Sequence, residues 1–105
     1  METEMQIKIQ AENFDLTSEL EDYVKLHLGF DDSGAYDRVN DVLVRLSEVD
    51  DSHKNCLITV EIEGIATSVE VQNTEEDMHY AIDLSAKRAR KTAILWMRRY
   101  GTQTA

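Results

Sequence analysis

Proline is absent from this 105-residue sequence, and so are low-complexity tracts, internal repeats and any linker-like stretch. Biased segments of that kind commonly separate domains, so one domain spanning residues 1–105 is expected, able to fold alone around a modest core. The single cysteine, Cys56, excludes an internal disulfide, as suits a reducing compartment. No apolar run approaches the ~18 residues that a membrane span requires. The start, Met1-Glu2-Thr3-Glu4, carries acids where a secretory signal carries bases, and the expected location is the cytoplasm. There is no glycine-rich phosphate loop, dinucleotide fingerprint or nucleophile in a recognisable setting. His27, His53 and His79 share no metal-ligand spacing with one another or with Cys56. Asp31-Asp32, Asp50-Asp51 and Glu75-Glu76 read as solvated loop and cap residues rather than acid–base pairs. No enzymatic activity, cofactor, metal or small-molecule substrate is expected.

Acidic residues are also missing from one segment. All 21 lie at or before Asp83, whereas six of the 11 Lys and Arg residues follow it. The formal charge of −10 therefore divides into −16 over residues 1–86 and +6 over residues 87–105. Such asymmetry has two readings, an electrostatic partner or a solvated basic helix on an acidic sheet.

Met5 to Ala11 alternates apolar and polar residues, the pattern of a half-covered strand. Thr17 or Ser18, the latter with Glu21 in capping-box spacing, starts a helix. Its apolar face holds Leu16, Leu20, Tyr23, Val24, His27 and Leu28, and it fades at Gly29 before a loop at Asp31–Gly34. Strands around Val42–Leu46 and Cys56–Ile62 follow, then a tight turn at Glu63-Gly64 into a strand from Ile65 to Val71. Thr74, spaced as a cap pair with Asp77, opens the last helix, and the acids Glu75, Glu76 and Asp77 suit its positive end. Met78, Ile82, Ser85, Ala86, Ala89, Ala93, Trp96, Met97 and Tyr100 form one stripe at ~100° per residue, and Gly101 ends it. Lys87, Lys91 and Arg98 oppose that stripe, with Arg88, Arg90 and Arg99 on its flanks. The expected fold is α+β, in the order β-α-β-β-β-α, with two helices on one face of a mainly antiparallel four-stranded sheet.

Within this frame His27 reads as a satisfied, partly buried histidine, and Cys56, in register with Ile58 and Val60, as a buried strand residue. The polar sheet face would show Gln6, Lys8, Arg45, Thr59, Glu61, Glu63, Ser68 and Glu70. It lacks the rings on which an RNA-recognition sheet stacks bases. Leu84, Ile94 and Leu95 point away from the apolar stripe, either as scattered exposed apolars or as a contact for self-association or for another protein.

Four local words occur in order: Met5-Gln6-Ile7-Lys8-Ile9, Leu16-Thr17-Ser18-Glu19-Leu20, Tyr36-Asp37-Arg38-Val39-Asn40, and Glu76-Asp77-Met78-His79-Tyr80-Ala81-Ile82-Asp83. Over Met5 to about Arg99 the chain resembles the ribosome hibernation-promoting factors and ribosome-associated inhibitors, the sigma-54 modulation family, and by its length a short form. The resemblance implies a factor that sits on the small ribosomal subunit, against 16S rRNA and ribosomal proteins. It would occupy the channel for messenger RNA and tRNA and silence translation under stress by steric block. The implied rRNA-binding residues are Arg88 and Lys91, which match basic positions of the family's second helix. Lys87, Arg90, Arg98 and Arg99 add charge nearby, with Lys25 on the first helix. Other basic positions of the family fall on His27, Phe30, about Ser47 and Asp50, and near Leu95. The −16 balance of residues 1–86 supports an alternative, a diverged acidic relative acting as a protein-interaction module without ribosome binding.

Overall fold

A computed structural model describes residues 5–30 and 36–101. Its elements are β1 (Gln6–Glu12), α1 (Ser18–Leu28), β2 (Val39–Asp50), β3 (His53–Ile62), β4 (Val69–Glu75) and α2 (Met78–Gly101). The fold is α+β, with a four-stranded sheet in the order β1-β2-β3-β4. β2, β3 and β4 pair antiparallel through short connections, and β1 pairs parallel to β2. Parallel neighbours need a crossover, and α1 provides it.

Register aligns the apolar faces of all four strands. Ile7, Val42, Val60 and Val69 form one cross-strand row, and Ile9, Val44, Ile58 and Val71 form the next. Both helices cover this face: Val24 and Leu28 from α1, with Ala81, Ile82, Ala86, Ala89 and Ala93 from α2, are buried in the same cluster. The α2 face is made almost entirely of small residues, so its backbone lies close against β3 and β4. Ser85, also fully buried, donates its hydroxyl to the Cys56 carbonyl at 3.1 Å, the partner that a buried hydroxyl requires.

Several local expectations shift. Thr17 is the cap of α1, accepting from Leu20 N at 3.1 Å, and Ser18 is already helical, so the Ser18–Glu21 box does not form. Thr74 lies within β4 and donates to Asn55 Oδ1 at 2.8 Å. Asp77 alone caps α2, with Oδ2 3.3 Å from Tyr80 N. Tertiary pairing with Asn55 wins over the capping role that spacing suggested for Thr74. Gly64 turns the chain at φ 85° as expected, but β4 begins at Val69 rather than Ile65. The Glu63 carbonyl there accepts from Arg38 Nη2 at 2.6 Å, holding the turn out of the ladder. The expected loop at Asp31–Gly34, the acids of the first four residues and the side chain of Tyr100 lie outside the described residues.

Candidate nucleic-acid interface

At ~100° per residue α2 has four sides, and residue type assigns each a different task. One side is the small-residue face on the sheet. A second faces α1. There Tyr23 donates its hydroxyl to both oxygens of the Asp83 carboxylate, at 2.9 and 3.0 Å. His27 Nδ1 lies 3.3 Å from Asp83 Oδ1, with the two side chains 39% and 43% exposed. Tyr23 stacks on His27 with centroids 4.1 Å apart and meets His79 edge-on at 4.3 Å. Desolvation, followed by the Asp83 carboxylate, holds the Tyr23 hydroxyl above its ordinary pKa. His27 is thus partnered and half-buried, as its place in the apolar stripe implied.

Two turns further along the same side, Arg90 Nη1 donates to the carbonyls of His27 and Leu28, at 2.8 and 3.0 Å. Carbonyls in the last turn of a helix lack intrahelical donors, and a cation there complements the negative helix end. Gly29 follows at φ 68°, and a Cβ on it would lie 3.2 Å from Arg90 Cδ. Arg90 therefore caps α1 and joins the two helices.

The third side borders the edge strand β4. Arg88 Nη1 donates to Gln72 O and to Asn73 Oδ1, each at 3.0 Å. The fourth side faces solvent and carries Lys87, Lys91 and Arg98, all exposed, alongside Tyr80 and Leu95 at 52% and 57% exposure. Leu84 and Ile94 are half-buried. No acid follows Asp83 to neutralise this ridge. Arg99, eleven residues beyond Arg88, shares its flank at ~100° per residue. Lys25 is exposed but lies roughly 160–200° around α1 from Tyr23 and His27, on the side turned away from α2. The fold thus gathers Lys87, Lys91 and Arg98, sets Arg88 and Arg99 beside them, turns Arg90 inward and leaves Lys25 apart.

A family model described as sigma 54 modulation protein / S30EA ribosomal protein matches residues 7–94. The chain belongs to this family. No curated protein matches the sequence. Among solved structures, a ribosomal subunit interface protein from Coxiella burnetii is similar with a TM-score of 0.76 and 14% identity, covering 89% of this chain and 98% of that one. The N-terminal domain of Thermus thermophilus Protein Y is similar with a TM-score of 0.71 and 23% identity, covering 85% of this chain and 94% of that one. At such identities these two likenesses establish the S30EA-family fold alone.

The open sheet face of this S30EA-family chain carries Lys8, Leu43, Thr59 and Glu70 in one row and Gln10, Arg45, Leu57 and Gln72 in the next. No Phe, Tyr or Trp occurs in any of the four strands, so bases find no stacking platform there. Cys56 is fully buried, and desolvation pushes its thiol up to about 11, far from a reactive thiolate. Among the described residues no helix is long and apolar enough to cross a membrane, and no three His, Cys, Asp or Glu side chains gather as a metal site.

The two ends of α2 differ in kind. Glu75, Glu76 and Asp77 line a hollow with His53 and Tyr80 beside its first turn, and Glu19 and Glu48, together with Lys54, line another against Met78 and His79. At the opposite end, Thr92, Leu95, Trp96, Arg98 and Arg99 line an open concavity of about 460 Å³. Helical periodicity alone assigned Trp96 to the core stripe. It is in fact half-buried, touching the core and the concavity together. Its position near the end of the stripe, past the last of the alanines, is the signal that separates it from them.

Proposed function

We propose that this S30EA-family chain acts as one domain that binds the small ribosomal subunit through the outer face of α2. It blocks the path of messenger RNA and tRNA by occupying it, without chemistry, in the cytoplasm. The observation that carries the reading is the exposed ridge of Lys87, Lys91 and Arg98 on a helix with no acid after Asp83. Lys87 and Lys91 pair with no carboxylate among the described residues, so both ammonium groups stand ready for phosphate oxygens. A rigid basic helix can follow a phosphate backbone without reading sequence, and the family's description as ribosomal protein supplies the RNA. Each neutralised phosphate releases counterions, so three such contacts predict an affinity that falls about 20- to 40-fold between 50 and 200 mM salt. Arg88 and Arg99 extend the charge along the neighbouring flank.

The test is co-sedimentation with purified 30S particles across a salt series, for the wild type and for the double reversal Lys87→Glu/Lys91→Glu. Salt-sensitive binding that the reversal abolishes supports the reading, and binding that ignores both refutes it. The carboxylates around the first turn of α2 favour a second reading, a protein-interaction module for a basic partner. Failure of the wild type to bind 30S particles in dilute buffer leaves that reading in its place.

A further inference from the structure

We propose that the outer edge of β1 pairs antiparallel with β1 of a second copy of this chain, joining the two sheets through reciprocal Lys8–Glu12 contacts. This pairing is independent of the ribosome reading, because α2 lies over β3 and β4, at the other side of the sheet.

The two edges of the sheet differ. β4 is closed: α2 packs over it, Val69 and Val71 are buried, and Arg88 donates to the Gln72 carbonyl and to Asn73 Oδ1. β1 is open. Among the described residues its outer edge receives no backbone hydrogen bond. It holds no proline, and its register with β2 runs without a bulge from Gln6 to Glu12. Unpaired N–H and C=O groups along such an edge are a template for a further strand. The apolar side chains of β1 are also the incomplete part of the core. Ile7 and Ile9 begin cross-strand rows whose members on β2, β3 and β4 are all buried, yet they themselves are only partly covered.

Charge selects a second copy of the same strand as the occupant. Lys8, Gln10 and Glu12 share the open face of the sheet, and Ile7, Ile9 and Ala11 share the covered one. Opposed residues of an antiparallel pair lie on the same face, so only registers that match like faces are allowed. The register that sets Gln10 against its own copy also sets Lys8 against Glu12 twice and Ile9 against Ala11 twice. A register centred on Lys8 would put two ammonium groups face to face, and one centred on Ile9 would leave each Lys8 opposite a glutamine. Lys8 is exposed and pairs with no carboxylate among the described residues. Glu12 meets Arg45 Nε through one oxygen at 3.5 Å, and its side chain remains 55% exposed. Asn13, at φ 58°, bonds back to Glu48 and ends the strand, so the pairing runs from Lys8 to Glu12 in both copies. An edge of that length buries far less than the ~1,200–2,000 Å² of a stable interface, so the dimer is weak and depends on concentration.

The experiment is sedimentation velocity of the full chain from micromolar to millimolar concentration. It is run at about 0.15 M salt, where screening over ~8 Å limits the repulsion between two bodies of charge −10. The weight-average mass should rise from that of one chain toward that of two. Lys8→Glu and Glu12→Lys each turn two attractive pairs into two repulsive ones and should weaken association about tenfold or more. An equimolar mixture of these two variants restores both attractive pairs, and so does the double variant Lys8→Glu/Glu12→Lys. Each should recover the wild-type association within about threefold. Deuterium exchange of the wild type needs no variant: amides of β1 should exchange more slowly at high than at low protein concentration, and those of β4 should not change. A wild type that stays monomeric, a dimer indifferent to Lys8→Glu, or a mixture no more associated than its components overturns the pairing. So does exchange in β1 that ignores concentration. Dimerisation of a protein that ignores 30S particles supports the pairing and removes only the ribosome reading. Salt-sensitive 30S binding by a chain that stays monomeric does the reverse.

Discussion

Replacing Arg90 by alanine removes both donors that the α1 carbonyls receive from α2, at 2.8 and 3.0 Å. Hydrogen bonds to a charged group contribute about 1.5–3 kcal/mol each. Here both come from one nitrogen of a partly solvated guanidinium, and the cation also loses its favourable place at a helix C-terminus, a contribution of about 0.3–1 kcal/mol. Together the loss should be about 2 kcal/mol, a large fraction of the ~5–15 kcal/mol that holds a typical domain folded. For a chain of this size that corresponds to a fall in Tm of roughly 8–15 °C. Urea unfolding followed by circular dichroism measures it, with an unchanged slope showing that stability rather than compactness moved. Arg90→Lys retains the charge without the planar fork and should lose about half as much. Gly29→Ala adds a Cβ 3.2 Å from Arg90 Cδ at φ 68°. Its cost should shrink in the Arg90→Ala background, because the crowding is shared between the two residues. A loss below about 0.5 kcal/mol in Arg90→Ala, within the range of ordinary surface changes, would refute the capping argument. So would lost 30S binding at unchanged stability, which would return Arg90 to the phosphate-binding set.

Tyr23 has a folded pKa above its unfolded value, so its stabilising contribution is present below the unfolded pKa near 10 and is lost as pH rises through the folded value. Wild-type stability should therefore decline above about pH 10, and Tyr23→Phe should flatten that part of the profile, as urea titrations at neutral and alkaline pH would show. Cys56, buried with its thiol pushed up to about 11, should resist thiol reagents at neutral pH until urea unfolds the chain, so labelling should track the unfolding curve. Ser85→Val should cost about 1–3 kcal/mol, because it adds volume at a fully buried position and removes the hydroxyl that donates to the Cys56 carbonyl. Ser85→Ala should cost about 1 kcal/mol or less in the same chemical-denaturation assay.

Element order and core were legible because alternation in strands and the 3.6-residue stripe of α2 are direct consequences of one-sided burial. Ile58, Val60, Ala86 and Ala89 lie where their periodicity put them. The parallel pairing of β1 was not legible, since an edge strand next to a crossover helix alternates as an antiparallel one does. Thr74 satisfied the spacing rule for a cap and was recruited instead by Asn55 across the sheet, a partner nineteen residues away that no local rule contains. The basic residues illustrate the same limit. All six basic residues of α2 enter the implied rRNA-binding residues, opposed to the stripe or on its flanks, yet Arg90 and Arg88 are fastened to carbonyls of α1 and β4. Whether a cation on the flank of an amphipathic stripe reaches solvent or a neighbouring backbone depends on where the next element ends. Helical angle does not encode that.

The contrast between the two ends of α2 bears on kinetics as well as on affinity. From Glu75, Glu76 and Asp77 just before the helix to Arg98 and Arg99 in its last turn, across 24 residues or ~36 Å, charge passes from carboxylate to guanidinium. In the field of a polyanion the leading and trailing ends feel opposite forces, which rotates the molecule before contact is made. Collisions led by the last turns are favoured and the reverse pose is rejected at a distance. Under the proposed reading the chain's net charge of −10 repels the same polyanion, so added salt should loosen the complex while easing the approach of the acidic end.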